Sequence, residues 1–182
     1  MITLTTPLSN KVIRELKAGD EVLINGVVYT ARDAAHKRLV ELMEQGKPLP
    51  IDVKGQIIYY VGPTPERPGK PIGSAGPTTS YRMDSYAPKL IKIGLKGMIG
   101  KGERGEKVVE AMKKYGAVYF ATTGGAAALI ARKIVSSKIV AYEELGAEAI
   151  RELVVKDFPA VVAQDSYGNN IYLTGKAQYK IA

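Results

Sequence analysis

The sequence predicts an α/β fold, a mixed sheet with flanking helices. Three observations lead there. Apolar runs rich in β-branched and aromatic residues alternate with helix-periodic stretches through the middle of the chain. Strand pairs of antiparallel type stand at both ends. The 182 residues, 46% of them hydrophobic and without any period-scale repeat, suit one domain over residues 1–182.

The opening residues 1–17 are polar and threonine-rich, and Ser9 or Asn10 caps a short helix carrying Val12, Ile13 and Leu16. Gly19-Asp20 turns into a strand at 21–24. Asn25-Gly26 is a strong hairpin signal, with the returning strand at 27–30. An amphipathic helix follows with Leu39, Val40, Leu42 and Met43; Asp33 is its candidate cap, and Gly46 and Pro48 end it. Residues 56–61 read as a buried strand. Residues 62–76, with prolines at 63, 65, 68 and 71, read as a long loop. A helix is expected to start at Gly76-Pro77 and to finish over 85–90, shortened by Pro88. The remaining expectations are a strand at 91–99, a helix through Val108, Val109 and Met112, and a strand at 117–122. After them come a helix at 126–133, a strand at 139–142 and a brief helix at 147–150. Three strand-like runs close the chain at 152–155, 160–164 and 171–173, the last two joined by Gly168-Asn169-Asn170.

Composition removes several function classes. There is no cysteine, which excludes disulfides, thiolate catalysis and any cysteine-held metal or cluster on this chain. No apolar run approaches the roughly 20 residues of a membrane span, and no signal-peptide pattern opens the chain, so a cytoplasmic protein is expected. The net charge is +8, but the 26 Lys and Arg are scattered and no nucleic-acid motif is present. A basic surface serves equally to draw in a small dianion.

The chemistry gathers in three places. In Gly76-Pro77-Thr78-Thr79-Ser80-Tyr81-Arg82-Met83-Asp84, Thr78 or Thr79 would cap a helix whose free N–H groups favour an anion, with Arg82 one turn on. Arginine offers a carboxylate two parallel donors; pairing of Arg82 with a surface acid is the plainer alternative. Gly100-Lys101-Gly102-Glu103-Arg104-Gly105 lies between a strand and a helix, the general design of an anion loop, although it is no Walker sequence. There Lys101 either faces a small anion or is simply solvated. Arg32 stands at a strand-to-helix junction, and His36, the single histidine, is one turn further. A lone histidine is commonly structural, but one near an anion site is also a candidate for proton exchange.

Together these stretches resemble a known family. Thr-Ala-Arg-Asp-Ala-Ala-His (30–36), Ile-Tyr-Tyr-Val-Gly-Pro (58–63) and the 76–84 segment resemble the β-subunit, or C-terminal region, of class I fumarate hydratases and L-tartrate dehydratases. So do Gly-Lys-Gly (100–102), Gly-Gly-Ala-Ala-Ala-Leu (124–129), Glu-Leu-Gly (144–146) and Asp-Phe-Pro-Ala (157–160). The resemblance implies a swivelling β/β/α domain and a hydro-lyase reaction, the reversible anti addition of water across a dicarboxylate double bond at a 4Fe–4S cluster. In that family the cluster's cysteines lie in the α-subunit or N-terminal region. The resemblance therefore implies a partner α-subunit that holds the cluster, no metal on this chain, and a hetero-oligomer for which two copies of each chain is one arrangement. By position, Arg32, Arg82 and Lys101 match residues that hold the substrate carboxylates, and Thr78 and Thr79 match threonines beside the reacting carbons. His36 matches a histidine given catalytic work, so His36 and Thr78 are both candidates for proton transfer.

The resemblance also bears on substrate. Tartrate-type members tend toward Gly-Lys-Gly-Gly, whereas Arg104 and the Arg-Met-Asp triplet at 82–84 lean toward fumarate and (S)-malate. L(+)-tartrate is the alternative. A non-catalytic anion-binding or regulatory subunit of the same fold is a reading of another class, and the intact set Arg32, Thr78, Thr79, Arg82 and Lys101 argues against it.

Overall fold

The computed structural model describes residues 1–122 and 127–178. Among them, seven strands form one mixed sheet: β1 (Ile2–Thr5), β2 (Glu21–Thr30), β3 (Ile57–Tyr59), β4 (Gly97–Gly100), β5 (Val118–Ala121), β6 (Ile134–Ala141) and β7 (Ile150–Gln164). The order is β1-β2-β3-β4-β5-β7-β6, with β1 to β5 mutually parallel. The long β7 runs antiparallel to β2, β5 and β6. Val161 of β7 pairs with Glu21 on one side and Ala121 on the other, so β2, β3, β4, β5 and β7 close into a ring.

The helices are α1 (Asn10–Glu15), α2 (Asp33–Glu44), α3 (Ala87–Lys92), α4 (Glu106–Tyr115), α5 (Ala127–Ala131) and α6 (Ile171–Gln178). Strand alternation sorts the apolar residues into two cores. Ile24, Val28, Tyr59, Ile99, Phe120 and Phe158 belong to one, to which every strand of the ring contributes, so it fills the interior. Tyr59 and Phe158 meet there edge to face at 5.4 Å, a contact worth about 1 kcal/mol beyond its buried area. Ile58, Tyr60, Met98 and Tyr119 point the other way, under Leu39 of α2, Leu90 and Ile91 of α3, and Met112 of α4. Strands buried on both faces read as continuous apolar runs, as 57–61 and 117–120 do.

Several sequence expectations are corrected. Asn25-Gly26 makes no hairpin, because β2 runs unbroken through it. The pairing with β7 shifts between Ile24 and Gly26, Gly26 has φ +100°, and Asn25 Oδ1 accepts from the Asp157 N–H at 2.9 Å. A bulge needs the same tolerance of positive φ as a tight turn, so the dipeptide bends the strand instead of reversing it. The polar opening contains β1, which carries little apolar signal because only Leu4 of its residues is buried. The strand expected at 91–99 starts only at Gly97, after α3 has run to Lys92 and Gly94 has turned the chain at φ +117°. Pro88 sits in the first turn of α3 and starts that helix rather than shortening it. Runs 152–155 and 160–164 are one strand, β7, and 171–173 opens α6. The strand at 139–142 begins earlier, at Ile134, and the expected helix at 147–150 is a 3₁₀ helix at Glu143–Glu148. Gly124-Gly125 lies outside the described residues.

Candidate active site

The three chemical stretches meet at the carboxyl ends of the parallel strands β2, β3 and β4, where ligands of α/β sheets characteristically bind. β3 and β4 pair as far as Tyr59 and Ile99. Just beyond, the 78–80 segment is wedged between their continuations. The Thr78 N–H donates to Tyr60 O (2.7 Å), Ser80 N–H to Lys101 O (2.9 Å), and Lys101 N–H to Thr78 O (3.3 Å). Thr79 and Lys101 thus form a parallel bridge, which brings Thr78, Thr79 and Lys101 together. The side chains of both threonines' residues are half-buried, and Lys101 is exposed.

This corrects the expected anion nest. The turn at Ser80–Met83 is a single 3₁₀ turn, and Thr79 at its start makes no side-chain cap. The Thr78 and Ser80 N–H groups are taken up by the sheet-like pairing, so neither is free for an anion.

Arg32 lies in extended backbone between β2 and α2 and is the N-cap of α2, displacing Asp33 from the role of cap to the first helical residue. Its guanidinium presses on Gly62, where an added Cβ would stand 2.8 Å from Nη1. Arg82 reaches across to donate from Nε to Asp33 Oδ1 at 2.9 Å. Asp33 Oδ2 stands 3.8 Å from Arg32 Nε, and Glu148 Oε1 is 3.7 Å from the same nitrogen. Two arginines from separate stretches of sequence therefore face one carboxylate. Neither Asp33 as their shared acid nor Glu148 was visible in the sequence, since both are supplied by tertiary contact.

The 1–175 portion of the chain matches the family described as Fumarase C-terminus. The chain belongs to that family. It is 43% identical over 177 residues to a protein of Geobacillus stearothermophilus provisionally named fumarate hydratase class I, covering 94% of this chain and 34% of the relative. It is 40% identical over 171 residues to a protein of Methanocaldococcus jannaschii provisionally named L(+)-tartrate dehydratase subunit beta, covering 91% of this chain and 88% of the relative. Against the aerobic fumarate hydratase class I of Escherichia coli the identity is 43% over 151 residues, 82% of this chain and 28% of the relative. The chain thus spans about a third of the length of these fumarate hydratases.

In this Fumarase C-terminus chain His36 is fully buried. Its Nδ1 lies 2.8 Å from the Arg32 carbonyl and donates to it, which leaves Nε2 as the unprotonated nitrogen, buried and unpartnered. Burial pushes its pKa down to about 4; the bond to the Arg32 carbonyl opposes this, the Arg104 charge adds to it, and Asp33 again opposes it. The imidazole is neutral near pH 7 and packs edge-on against Tyr60 at 5.4 Å. It braces the backbone of Arg32 from below.

Arg104 is the second buried feature. Its side chain is 0% exposed, donates from Nε to Asp84 Oδ1 at 2.7 Å, and lies over the rings of Tyr60 (5.1 Å) and Tyr119 (5.2 Å). Burial works against its charge, but the oxygens of Tyr60, Asp84 and Tyr119 outweigh it and raise the pKa. Among the described residues no group of three or more His, Cys, Asp or Glu could hold a metal, and the sequence contains no cysteine. The residues present do not fit a 4Fe–4S cluster as its ligands.

Proposed function

We propose that this chain is the β-subunit of a two-chain hydro-lyase that interconverts fumarate and (S)-malate. The observation that carries this reading is the convergence of Arg32 and Arg82 on one carboxylate beside the Thr78–Thr79–Lys101 bridge. Asp33 marks where a substrate carboxylate would be shared by two guanidinium groups. Lys101, across the bridged segment, is the cation for the other end of a dianion. Orienting a dianion by charges at both ends supplies a large part of a rate enhancement through position alone.

Within this reading the substrate-binding residues are Arg32, Thr78, Thr79, Arg82 and Lys101. Proton exchange at the reacting carbon is assigned to Thr78. His36 becomes a positioning residue, because it is fully buried and its Nδ1 proton is held by the Arg32 carbonyl. A threonine hydroxyl is a weak base that needs an activating neighbour. Class I fumarate hydratases depend on an iron–sulfur cluster, and this reading assigns it to a partner α-subunit, since residues 1–182 contain no cysteine to ligate it. The assembly is a cytoplasmic hetero-oligomer in which residues 1–182 act as one domain. Among the described residues no helix is long and apolar enough to cross a membrane.

The second reading, L(+)-tartrate dehydration, has its own support. The M. jannaschii relative carrying that name is matched over 88% of its length, whereas the fumarate hydratases are matched over about a third. The deciding experiment is co-expression with the cluster-bearing chain, anaerobic purification, and assay of fumarate–malate and L-tartrate turnover by each chain and by the mixture. Fumarate turnover only in the mixture is the expected result. Turnover of tartrate alone selects the second reading, and absence of association removes both.

A further inference from the structure

The loop at 100–105 holds Lys101 between Gly100 and Gly102, a composition that by itself leaves the lysine without a fixed position. The structure fixes it against the 78–84 segment at both ends. At its start, a Cβ on Gly100 would stand 1.9 Å from Ser80 Oγ, so the Ser80 side chain packs directly on the Gly100 backbone. In its middle, Tyr119 Oη donates to Gly102 O at 2.8 Å and lies 2.9 Å from Ser80 Oγ. At its end, Asp84 Oδ2 accepts from the Gly105 N–H at 2.6 Å, and Asp84 Oδ1 accepts from Arg104 Nε. A Cβ on Gly105 would lie 2.9 Å from that same Asp84 carboxylate.

Arg104 is the piece that makes the last attachment rigid. Its guanidinium is held between two tyrosine rings, Nε donates to Asp84, Nη1 points at Met98 Sδ at 3.3 Å, and Nη2 is buried without a partner. Tyr60 stands between Arg104 and His36, and His36 holds the Arg32 carbonyl. One buried chain of contacts therefore runs from Asp84 through Arg104, Tyr60 and His36 to Arg32. It links the three segments that carry Arg82, Lys101 and Arg32.

We infer that Arg104, paired with Asp84, is a positioning residue that fixes the spacing of Lys101 relative to Arg82 and Arg32, and so sets the length of diacid the site accepts. Arg104 touches no ligand in this role: its side chain is fully buried. The inference rests on the reading that these three cations hold a dicarboxylate.

The test uses the assembled two-chain enzyme with Arg104→Lys, Arg104→Met and Asp84→Asn. Lysine keeps the charge but lacks the planar fork, methionine fits between the tyrosines without charge, and asparagine removes charge from the partner. Expected for each is a KM for the preferred diacid raised about tenfold with kcat changed less than about threefold, and a reduced preference for it over its five-carbon homologue. Amide exchange at 101–105 should accelerate more in Asp84→Asn than exchange in β3 and β4, beyond the general fall in stability expected when the buried Arg104 charge loses its partner. A KM and substrate preference unchanged in all three variants overturn the inference. So does loss of kcat at constant KM, or a fall in melting temperature that accounts for all lost activity. If the parent assembly neither binds nor turns over any of these diacids, the proposed function fails, and exchange at 101–105 still judges the attachment of that loop to Asp84. Unaltered protection there in Asp84→Asn overturns it independently.

Discussion

Asp33 Oδ1 accepts a hydrogen bond from Arg82 Nε at 2.9 Å while its other oxygen stands 3.8 Å from Arg32 Nε. A residue at the first position of α2 thereby stands between two guanidinium groups, the place that the proposed function gives to one substrate carboxylate. With side chains of Arg82 and Asp33 exposed to 46% and 31%, the pair is screened by water and its strength is small. Asp33→Asn should therefore relieve a modest competition. Substrate or succinate affinity of the assembled enzyme is expected to rise about threefold at low salt, and the gain to fade near about 0.5 M salt. Calorimetric titration reads both. A loss of affinity would show that Asp33 orients Arg82 rather than standing in its ligand's place.

Arg82 itself is expected to matter through geometry as well as charge. Its donors come in a planar fork that a lysine ammonium does not reproduce. Arg82→Ala should lower kcat/KM by about a hundredfold or more, and Arg82→Lys should recover only a minor part. The control is iron–sulfur content by absorbance. Loss of activity with the cluster intact locates the defect in substrate holding, whereas parent-like activity of the lysine variant removes the two-pronged contact.

His36 ties the site to stability. Its pKa falls from 6.5 in the unfolded chain to about 4 in the fold, chiefly through burial. The unfolded state binds the proton first, so this histidine's contribution is complete above about pH 6.5 and is lost as pH falls through about 4. Over that window the linkage amounts to about 3 kcal/mol. His36→Asn, whose amide can still donate to the Arg32 carbonyl, should flatten the dependence of thermal stability between pH 6.5 and 4. Activity profiles above pH 6.5 should show no inflection that the variant removes. Such an inflection would return His36 to proton transfer.

The parts of this architecture written in local sequence were legible, and those written in contacts between distant segments were not. The helix over Asp33–Glu44 and that over Glu106–Tyr115 have amphipathic faces and glycine stops, and both stand where periodicity puts them. The doubly buried strands announce themselves as unbroken apolar runs. Arg32, Thr78, Thr79, Arg82 and Lys101 stand out in three stretches of sequence, and the fold gathers these stretches at one end of the sheet. The pairing of Asp84 with Arg104 left no sequence signal, because a buried ion pair separated by 20 positions looks like two ordinary charges. The ring closure was hidden for the same reason: β7 joins β2 to β5, two partners that no local pattern names.

Asn25-Gly26 shows how one local signal serves two ends, and it yields the last prediction. Gly26 at φ +100° is adjoined by Thr6, whose Oγ1 would lie 2.6 Å from an added Cβ and which donates to the Val27 carbonyl at 2.7 Å. Gly46, at φ +65°, has nothing within 4 Å of such an atom. Backbone strain alone should make Gly46→Ala cost about 1 kcal/mol. Gly26→Ala adds a clash with a side chain already engaged and should cost about 2–4 kcal/mol. Urea unfolding of the two variants separates the terms. Thr6→Ala removes the obstructing oxygen, so the double variant Thr6→Ala with Gly26→Ala should lose less than the sum of the single losses. Strict additivity would mean that Thr6 does not crowd position 26. Equal costs at 26 and 46 would mean that the bulge has room for a side chain, and that the turn-like dipeptide is there for its conformation alone.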